Sequence, residues 1–237
     1  RDLVGFQFFP GLASLLERLH AGAADPNRKL FCDQYVSLLL FYYFNPTLTS
    51  LRGIQKTTGF AKVQKRLGVR PTSLGSFSEA ARVFDAGFLE TIVQELAAQA
   101  RPLGVDTRLE SVKQILTAVD GTLLPALPRM TWALWCDAEH RAAKAHVHFE
   151  ILKWIPVRAD ITAGSASARA ALRQALQAGR RYVVDRGYLD YALFPEIMDA
   201  GSSFVGRAGS NVVAETVEDR PLDDEARAAG VIRDRVV

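Results

Sequence analysis

The sequence predicts an α/β (α+β) protein, with a helical front part followed by a mixed β-sheet flanked by helices. Apolar residues recur at helical spacing from Phe6 to about Gln99, where strand patterns are scarce. After a polar connection at residues 101–110, short apolar strands alternate with helical segments. We therefore expect a helical domain at residues 1–105 and a sheet-containing domain at residues 106–237.

Composition indicates a soluble, cytoplasmic protein. The chain has 237 residues, of which 49% are hydrophobic, so it can bury one good core and a smaller second one. No apolar run approaches the roughly 20 residues that a membrane-spanning helix needs. Cys32 and Cys136 are far apart and form neither a disulfide framework nor a Cys-x-x-Cys motif. The chain begins with Arg1 without a signal-peptide layout, and we expect that its true start precedes this residue.

Several segments of the front part have the apolar spacing and the capping residues of helices. Thr49 or Ser50 can cap the segment LRGIQKTT. A second start lies at Thr72 or Ser73, with Ser76 placed to cap and Glu79 placed to complete a capping box. The helix-spaced apolar residues are Phe9, Leu12, Leu15, Leu16 and Leu19, the core run Val36–Phe44, and Phe84, Phe88, Ile92, Val93 and Leu96.

Positive charge is concentrated between Asp33 and Glu79, where no acidic residue occurs. A long stretch of one sign is typical of a surface that contacts a phosphate backbone, and two short helices separated by a basic loop are compatible with a helix-turn-helix-like DNA contact. A solvated basic face of an ordinary helical bundle explains the same pattern, so both interpretations stay open. The basic residues of this segment are Arg52, Lys56, Lys62, Lys65, Arg66 and Arg70.

The back part reads as three successive strands, then helix, strand, helix and strand. The third stretch, KAHVHFEIL at Lys144–Leu152, alternates apolar and polar residues, which predicts one buried and one exposed face. Short connections between the first three strands favour an antiparallel meander. The predicted strands are 115–124, 131–135, 144–152, about 182–184 and 202–208, and the predicted helices are 166–178 and a segment ending at 200.

This element order is that of the ribonuclease-H-like fold, in which the first and fourth strands lie side by side. Here those strands lead into Asp120 and Asp185. Two adjacent carboxylates repel each other unless a cation lies between them, and Mg²⁺ or Mn²⁺ prefers such oxygen ligands. With a third carboxylate, the pair would form a two-metal site for phosphoryl transfer.

Each of these residues also has a simpler explanation. Asp185 could cap the next helix, and Asp120 could begin an Asp-Gly turn. His146 and His148 share a strand face as zinc ligands do, but no further ligand lies at metal spacing, which favours exposed strand histidines. Three tryptophans are expected in the core rather than stacked on bases, and two polar residues either contact DNA or are ordinary surface. These are Trp132, Trp135 and Trp154, and Arg207 and Asn211.

Ordered motifs across most of the chain resemble the insertion-sequence DDE transposases, in particular the IS-four group. They include SLRGIQ, SFSEAARVF, AVDGT, KAHVHFEI, IPVRADITAGSAS, VVDRGYLDYALF and FVGRAGSN. The resemblance implies an enzyme that binds the terminal inverted repeats of its own mobile element, cuts the DNA and joins it to a target. It implies double-stranded DNA as partner, no membrane, and a homodimer that holds two element ends together.

The resemblance also assigns roles to particular residues. Asp120 and Asp185 match the first two catalytic aspartates, as ligands of Mg²⁺ or Mn²⁺ in a two-metal site. Arg186 and Tyr188 fall in the family's Asp-x-Gly-Tyr segment, where they are expected to contact DNA. The remaining DNA-facing or supporting positions that we expect are Lys144, His146 and Arg207.

The family's third carboxylate lies in a Tyr-x₂-Arg-x₃-Glu-x₆-Lys helix, and no such motif occurs in this sequence. The acidic residues Glu215, Glu218 and Asp219 stand in a different context. We therefore expect the third carboxylate beyond residue 237 and a chain that is a fragment of a longer transposase. A non-catalytic DNA-binding relic and a ribonuclease-H-like nuclease are the alternatives.

Overall fold

The computed structural model describes residues 3–20, 29–85, 87–102, 109, 112–125, 141–209 and 212–237. The chain divides into two compact units, Arg1–Gln99 and Ala100–Val237. The first unit is helical and the second contains a five-stranded mixed sheet with helices. The predicted α/β fold class is therefore confirmed.

The helical unit is built around the apolar residues that the sequence spacing selects. Leu15, Leu16 and Leu19 of the first helix are buried, as predicted. The second helix carries Leu38 and Phe41 at its centre, and both side chains are fully buried. The helices are α1 (Phe9–His20), α2 (Cys32–Tyr43), α3 (Leu51–Thr57), α4 (Ala61–Leu67), α5 (Leu74–Val83) and α6 (Phe88–Gln99).

Two helix starts follow from serine caps. Ser50 accepts a hydrogen bond from the Gly53 amide and begins α3. Ser73 accepts from the Ser76 amide and begins α5, so the prediction of Ser76 as the cap is wrong. Ser73 precedes the helix in an extended conformation, as an N-cap must, whereas Ser76 already lies in the first turn. The prediction of a simple basic loop is also wrong, because α4 occupies it.

The last helix of this unit is shorter than its apolar spacing suggests. Phe84 is extended and ends α5, and α6 begins only at Phe88. Ile92 is buried, but Phe88, Val93 and Leu96 are exposed. The apolar periodicity therefore predicts α6, but the predicted helix also includes Phe84, which lies in the break between α5 and α6.

The sheet of the second unit has the order β3-β2-β1-β4-β5. β1 pairs antiparallel with β2, and β2 pairs antiparallel with β3. β4 lies parallel to β1 and to β5, so the predicted adjacency of the first and fourth strands is confirmed. The strands are β1 (Ile115–Pro125), β2 (Ala142–Glu150), β3 (Ile155–Ala163), β4 (Arg180–Val184) and β5 (Ser203–Gly206).

The third strand of the meander differs from the predicted one. It is Ile155–Ala163, which the sequence analysis did not assign to a strand, and the predicted strand at 131–135 lies outside the described residues. Pro156 masks the pattern, although proline is tolerated in β3 because this strand lies at the edge of the sheet. Trp154 lies before β3 with a positive φ of 56°. Its side chain is exposed, so the prediction of a core tryptophan is wrong there.

Two helices pack on one face of the sheet, α7 (Ala168–Gln174) and α8 (Leu193–Asp199). Ser167 caps α7 by accepting from the Ala170 amide. Leu172, Leu193 and Ile197 of these helices are buried against Tyr182, which is 0% exposed. These contacts form the core beneath β1 and β4.

The remaining elements form a small hairpin, with β6 (Glu218–Arg220) antiparallel to β7 (Asp234–Val236) and the helix α9 (Asp224–Ala228) between them. Asp219 accepts two hydrogen bonds from Arg233, at 2.8 and 2.9 Å, which ties the hairpin together. Among the described residues, no helix is long and apolar enough to cross a membrane.

Candidate active site

The parallel pairing of β1 with β4 brings the two predicted aspartates to neighbouring positions. Val119 lies opposite Val184, and the next residues are Asp120 and Asp185. Adjacent strands are about 4.8 Å apart, so the two carboxylates lie on neighbouring backbones. Both residues are exposed. β1 continues to Pro125, so Asp120 lies within a strand and not in an Asp-Gly turn.

The two carboxylates point away from the helices. Val119 and Val184 belong to the core that α7 and α8 cover. Successive side chains of an extended chain point to opposite faces, and Asp185 keeps an extended backbone with φ −79° and ψ 179°. Asp120 and Asp185 therefore lie on the opposite face of the sheet, which α7 and α8 leave open.

Each aspartate is oriented by a nearby backbone amide. Oδ1 of Asp120 accepts from its neighbour Gly121 at 2.7 Å, and Oδ1 of Asp185 accepts from Gly187 at 2.9 Å. The second bond makes Asp185 the cap of a short 3₁₀ turn, Arg186–Tyr188. The capping interpretation of Asp185 is thus realised, but a carboxylate has about four lone-pair sites and one amide bond leaves the others available to a cation.

Two arginines of α7, which the sequence analysis did not select, hold the chain that follows Asp185. Arg169 donates to the Gly187 carbonyl at 3.0 Å. Arg173 bridges Asp190 and Glu196, with 2.9 Å to each carboxylate. Arg169 and Arg173 are four residues apart and so share one face of the helix, which is the signal that could have identified them.

Tyr188 lies beneath the site and is 3% exposed. Burial, followed by the charges of Asp120 and Asp185, raises the pKa of its hydroxyl to about 12. Both carboxylates are therefore close to one phenol. The side chain of Tyr188 packs in the core, and its contact with DNA stays a prediction.

The polar face of β2 is also buried, against expectation. His146 and His148 are 1% and 3% exposed, so the prediction of exposed strand histidines is wrong. The supporting or DNA-facing role of His146 stays a prediction. β3 supplies polar partners for this face, since Asp160 lies opposite His146 and Arg158 lies opposite His148. Among the described residues, no group of three His, Cys, Asp or Glu side chains could hold a metal ion.

The other predicted positions of this unit are accessible to different degrees. Lys144 is half-buried and donates from Nζ to the Ala166 carbonyl at 3.0 Å, between β3 and α7. Arg186 and Arg207 are exposed, and Asn211 lies outside the described residues. For Lys144, Arg186 and Arg207, contact with DNA stays a prediction.

In the helical unit, all six basic residues of the acid-free segment are exposed. The inward sides of the two helices are apolar and buried, with Ile54 of α3 at 1% and Val63 of α4 at 0% exposure. Residues three or four positions apart share a helix face, so each of these helices presents its cations together. Arg52 and Lys56 lie on α3, Lys62, Lys65 and Arg66 on α4, and Arg70 in the connection to α5.

The strand order β3-β2-β1-β4-β5, with β4 parallel to β1, is the order expected of the ribonuclease-H-like fold. The model of the family described as "Transposase DDE domain" matches residues 112–235, which include every strand of this sheet. The chain therefore belongs to the DDE transposase family, and the resemblance found in the sequence motifs is confirmed.

One curated relative supports the same family. It is named "Putative transposase y4zB", from Sinorhizobium fredii (strain NBRC 101917 / NGR234), and is 30% identical over 124 residues. The matched region is 52% of this chain and 34% of the relative, so the match spans about a third of that protein's length.

Proposed function

We propose that this chain is the DNA-binding and first catalytic part of an insertion-sequence transposase that cuts DNA at the element ends and joins it to a target by metal-dependent phosphoryl transfer. Asp120 and Asp185 act as metal ligands in this proposal. The observation that carries it is the β1–β4 pairing, which makes these two exposed aspartates neighbours on the open face of the sheet.

The chemistry of these residues fits Mg²⁺ or Mn²⁺. Such ions take one or two protein carboxylates and complete their shell with water and substrate phosphates. Asp120 and Asp185 provide two hard oxygen donors, and each keeps acceptor capacity beyond its single backbone amide. When bound, a metal pair would supply an activated nucleophile and stabilise the leaving oxygen. The residues of this chain would fix the positions of the ligands, with Arg169 holding the turn after Asp185.

Double-stranded DNA is the substrate and partner in this proposal. The six exposed cations between Arg52 and Arg70 support it, because no acidic residue interrupts the segment from 34 to 78. Contacts of this kind depend on phosphate charge rather than base sequence. The element ends would be held in a homodimer, and a third carboxylate would come from outside residues 1–237.

The test is Mn²⁺ binding by calorimetry to the chain and to a double variant, Asp120→Asn with Asp185→Asn. The expected result is binding to the unaltered chain and loss of binding in the variant. The matched control is Asp199→Asn with Asp234→Asn, which removes the same charge from two exposed aspartates elsewhere in this unit and is expected to bind as the unaltered chain does. Equal binding by all three proteins, or no binding by any, would contradict the proposed site.

A further inference from the structure

Two buried polar atoms lie beneath the aspartate-bearing strands. They are Nδ1 of His146 and the hydroxyl oxygen of Tyr188, and neither has a hydrogen-bond partner within the part of the chain that the structure describes. Their residues are 1% and 3% exposed. Buried polar groups are nearly always paired, since an unpaired one loses its bonds to water without replacement. We therefore expect each of these two atoms to have a hydrogen-bond partner.

The hydrogen bonds of His146 define which of its nitrogens carries the proton. Nε2 lies 2.9 Å from Oγ1 of Thr162, and that hydroxyl donates its own hydrogen to the Ala163 carbonyl at 3.2 Å. Thr162 must then accept from His146, so Nε2 is protonated. Burial, followed by the charge of Lys144, lowers the pKa of His146 and favours the neutral ring. Nδ1 is therefore a hydrogen-bond acceptor.

Tyr188 supplies the complementary group. A phenol hydroxyl is a donor as long as it keeps its proton. Burial, followed by the charges of Asp120 and Asp185, raises the pKa of Tyr188 to about 12, so the hydroxyl stays protonated at neutral pH. A buried donor and a buried acceptor thus face the same place.

That place is the side-chain position of Gly121. An added Cβ at Gly121 would lie 3.6 Å from Nδ1 of His146 and 3.6 Å from the hydroxyl of Tyr188. Gly121 is also the residue opposite His146 in the β1–β2 register, and it directly follows Asp120. Because glycine has no side chain, nothing from β1 separates the donor from the acceptor.

We propose that one buried water bridges the two atoms, accepting a hydrogen bond from the Tyr188 hydroxyl and donating one to Nδ1 of His146, and that this link positions Asp185 relative to Asp120. The link runs from Thr162 on β3 through His146 on β2 to the 3₁₀ turn that Asp185 caps. Tyr188 and His146 are positioning residues, since they act through the aspartates. The effect on metal binding rests on the proposed function, whereas the link itself does not.

The link is tested first without metal, by ¹⁵N NMR of the side chains of the 4 histidines. The expected spectrum shows His146 protonated at Nε2, with Nδ1 shifted upfield as an acceptor. Tyr188→Phe is expected to move Nδ1 downfield and to leave Nε2 protonated. The control is Tyr182→Phe, which removes another buried hydroxyl, one bonded to Gln177, and is expected to leave the His146 signal in place. An Nδ1 signal that is the same with and without the Tyr188 hydroxyl would overturn the link.

Gly121→Ala provides a second variant that keeps both polar groups. The new methyl would meet its nearest neighbours at 3.5–3.6 Å, which is ordinary van der Waals contact, so the fold should be retained. It would occupy the space between donor and acceptor, and the same downfield movement of Nδ1 is expected. An unchanged Nδ1 signal in folded Gly121→Ala would contradict the proposed path of the link.

Positioning is tested by Mn²⁺ affinity. Tyr188→Phe is expected to weaken it about 10-fold, as loss of an outer-shell partner typically does, and Tyr182→Phe is expected to leave it unchanged. Equal affinities in the two variants would refute the positioning role even where NMR shows the link. If the unaltered chain binds no Mn²⁺, the proposed function fails, and the NMR result alone decides whether the link exists.

Discussion

Replacing Lys62, Lys65 and Arg66 together with glutamine is expected to reduce the salt dependence of DNA binding. All three side chains are exposed on α4, and none forms an ion pair with another described residue of the chain. Each phosphate contact contributes about 0.9 to the slope of log binding constant against log salt concentration, so three contacts contribute about 2.7. Lys62 also lies 5.1 Å from the ring of Phe6. If Lys62 keeps this ring contact when the chain binds DNA, only Lys65 and Arg66 contact phosphates. The slope of the triple variant then changes by about 1.8.

The assay is fluorescence anisotropy of a labelled duplex titrated with the chain at several salt concentrations. A suitable control removes three arginines from the hairpin of the second unit, Arg227, Arg233 and Arg235, which are hydrogen-bonded to Asp224, Asp219 and Thr216. The control lowers the net charge by the same amount, and its slope should match that of the unaltered chain. A slope that is unchanged in the α4 variant, or reduced equally in both, would refute a phosphate contact at α4.

Two further predictions concern the stability of the sheet unit. Burial, followed by the charge of Arg158, lowers the pKa of His148 to about 4 from 6.5. The unfolded chain therefore binds a proton that the folded chain does not, and the free energy of unfolding should fall as pH drops from 6.5 towards 4, by at most about 1.4 kcal/mol per pH unit for one proton. Urea titrations at several pH values measure this fall, and His148→Phe should make it shallower; an identical pH profile would contradict the assignment. Leu172→Ala should lower the free energy of unfolding by about 2–5 kcal/mol, because this side chain is 1% exposed in the core. Ile161→Ala, at a side chain that is 55% exposed, should change it by about 0.5 kcal/mol or less, and similar losses in both variants would mean that the core is placed incorrectly.

The central arrangement of the site could be predicted from the sequence because it depends on strand order. Three strands followed by helix, strand, helix and strand place β4 beside β1, and a single step beyond each buried strand reaches Asp120 and Asp185. This prediction survives even though its second predicted strand lies outside the described residues and the third was misplaced. The predicted adjacency of the two aspartates requires only β1 and β4, and both strands were identified from the sequence.

The burial of the histidines could not be predicted in the same way. Alternation along β2 shows which residues share a face of the sheet. It does not show which face is buried, and the apolar face is only assumed to be the buried one. Here His146, His148 and Glu150 are all buried. Thr162 of β3 is hydrogen-bonded to His146, the ring of His148 packs edge-on against the core residue Tyr182, and Glu150 forms an ion pair with Lys153. β3 itself was hidden by Pro156, whose tolerance depends on the edge position that only the fold reveals. Tertiary context thus reversed a local pattern.

Helix α4 was missed for a related reason. The segment AKVQKRL has only Val63 and Leu67 as buried residues, which is a single turn of apolar spacing. Its cations dominate the pattern and suggest a solvated connection. Packing of those two residues in the helical core determines the structure instead, and the cations share the outer side of one helix.

The strand order also determines when the two aspartates can come together during synthesis of the chain. β1, β2 and β3 pair with their neighbours in sequence, so this meander can form as soon as it emerges. β4 can pair with β1 only after α7 has been synthesised, and until then Asp185 is not beside Asp120. At about 5–20 residues per second, Asp185 is added roughly 3–13 seconds after Asp120. During that interval the chain on the ribosome contains Asp120 without Asp185, so the proposed site is incomplete.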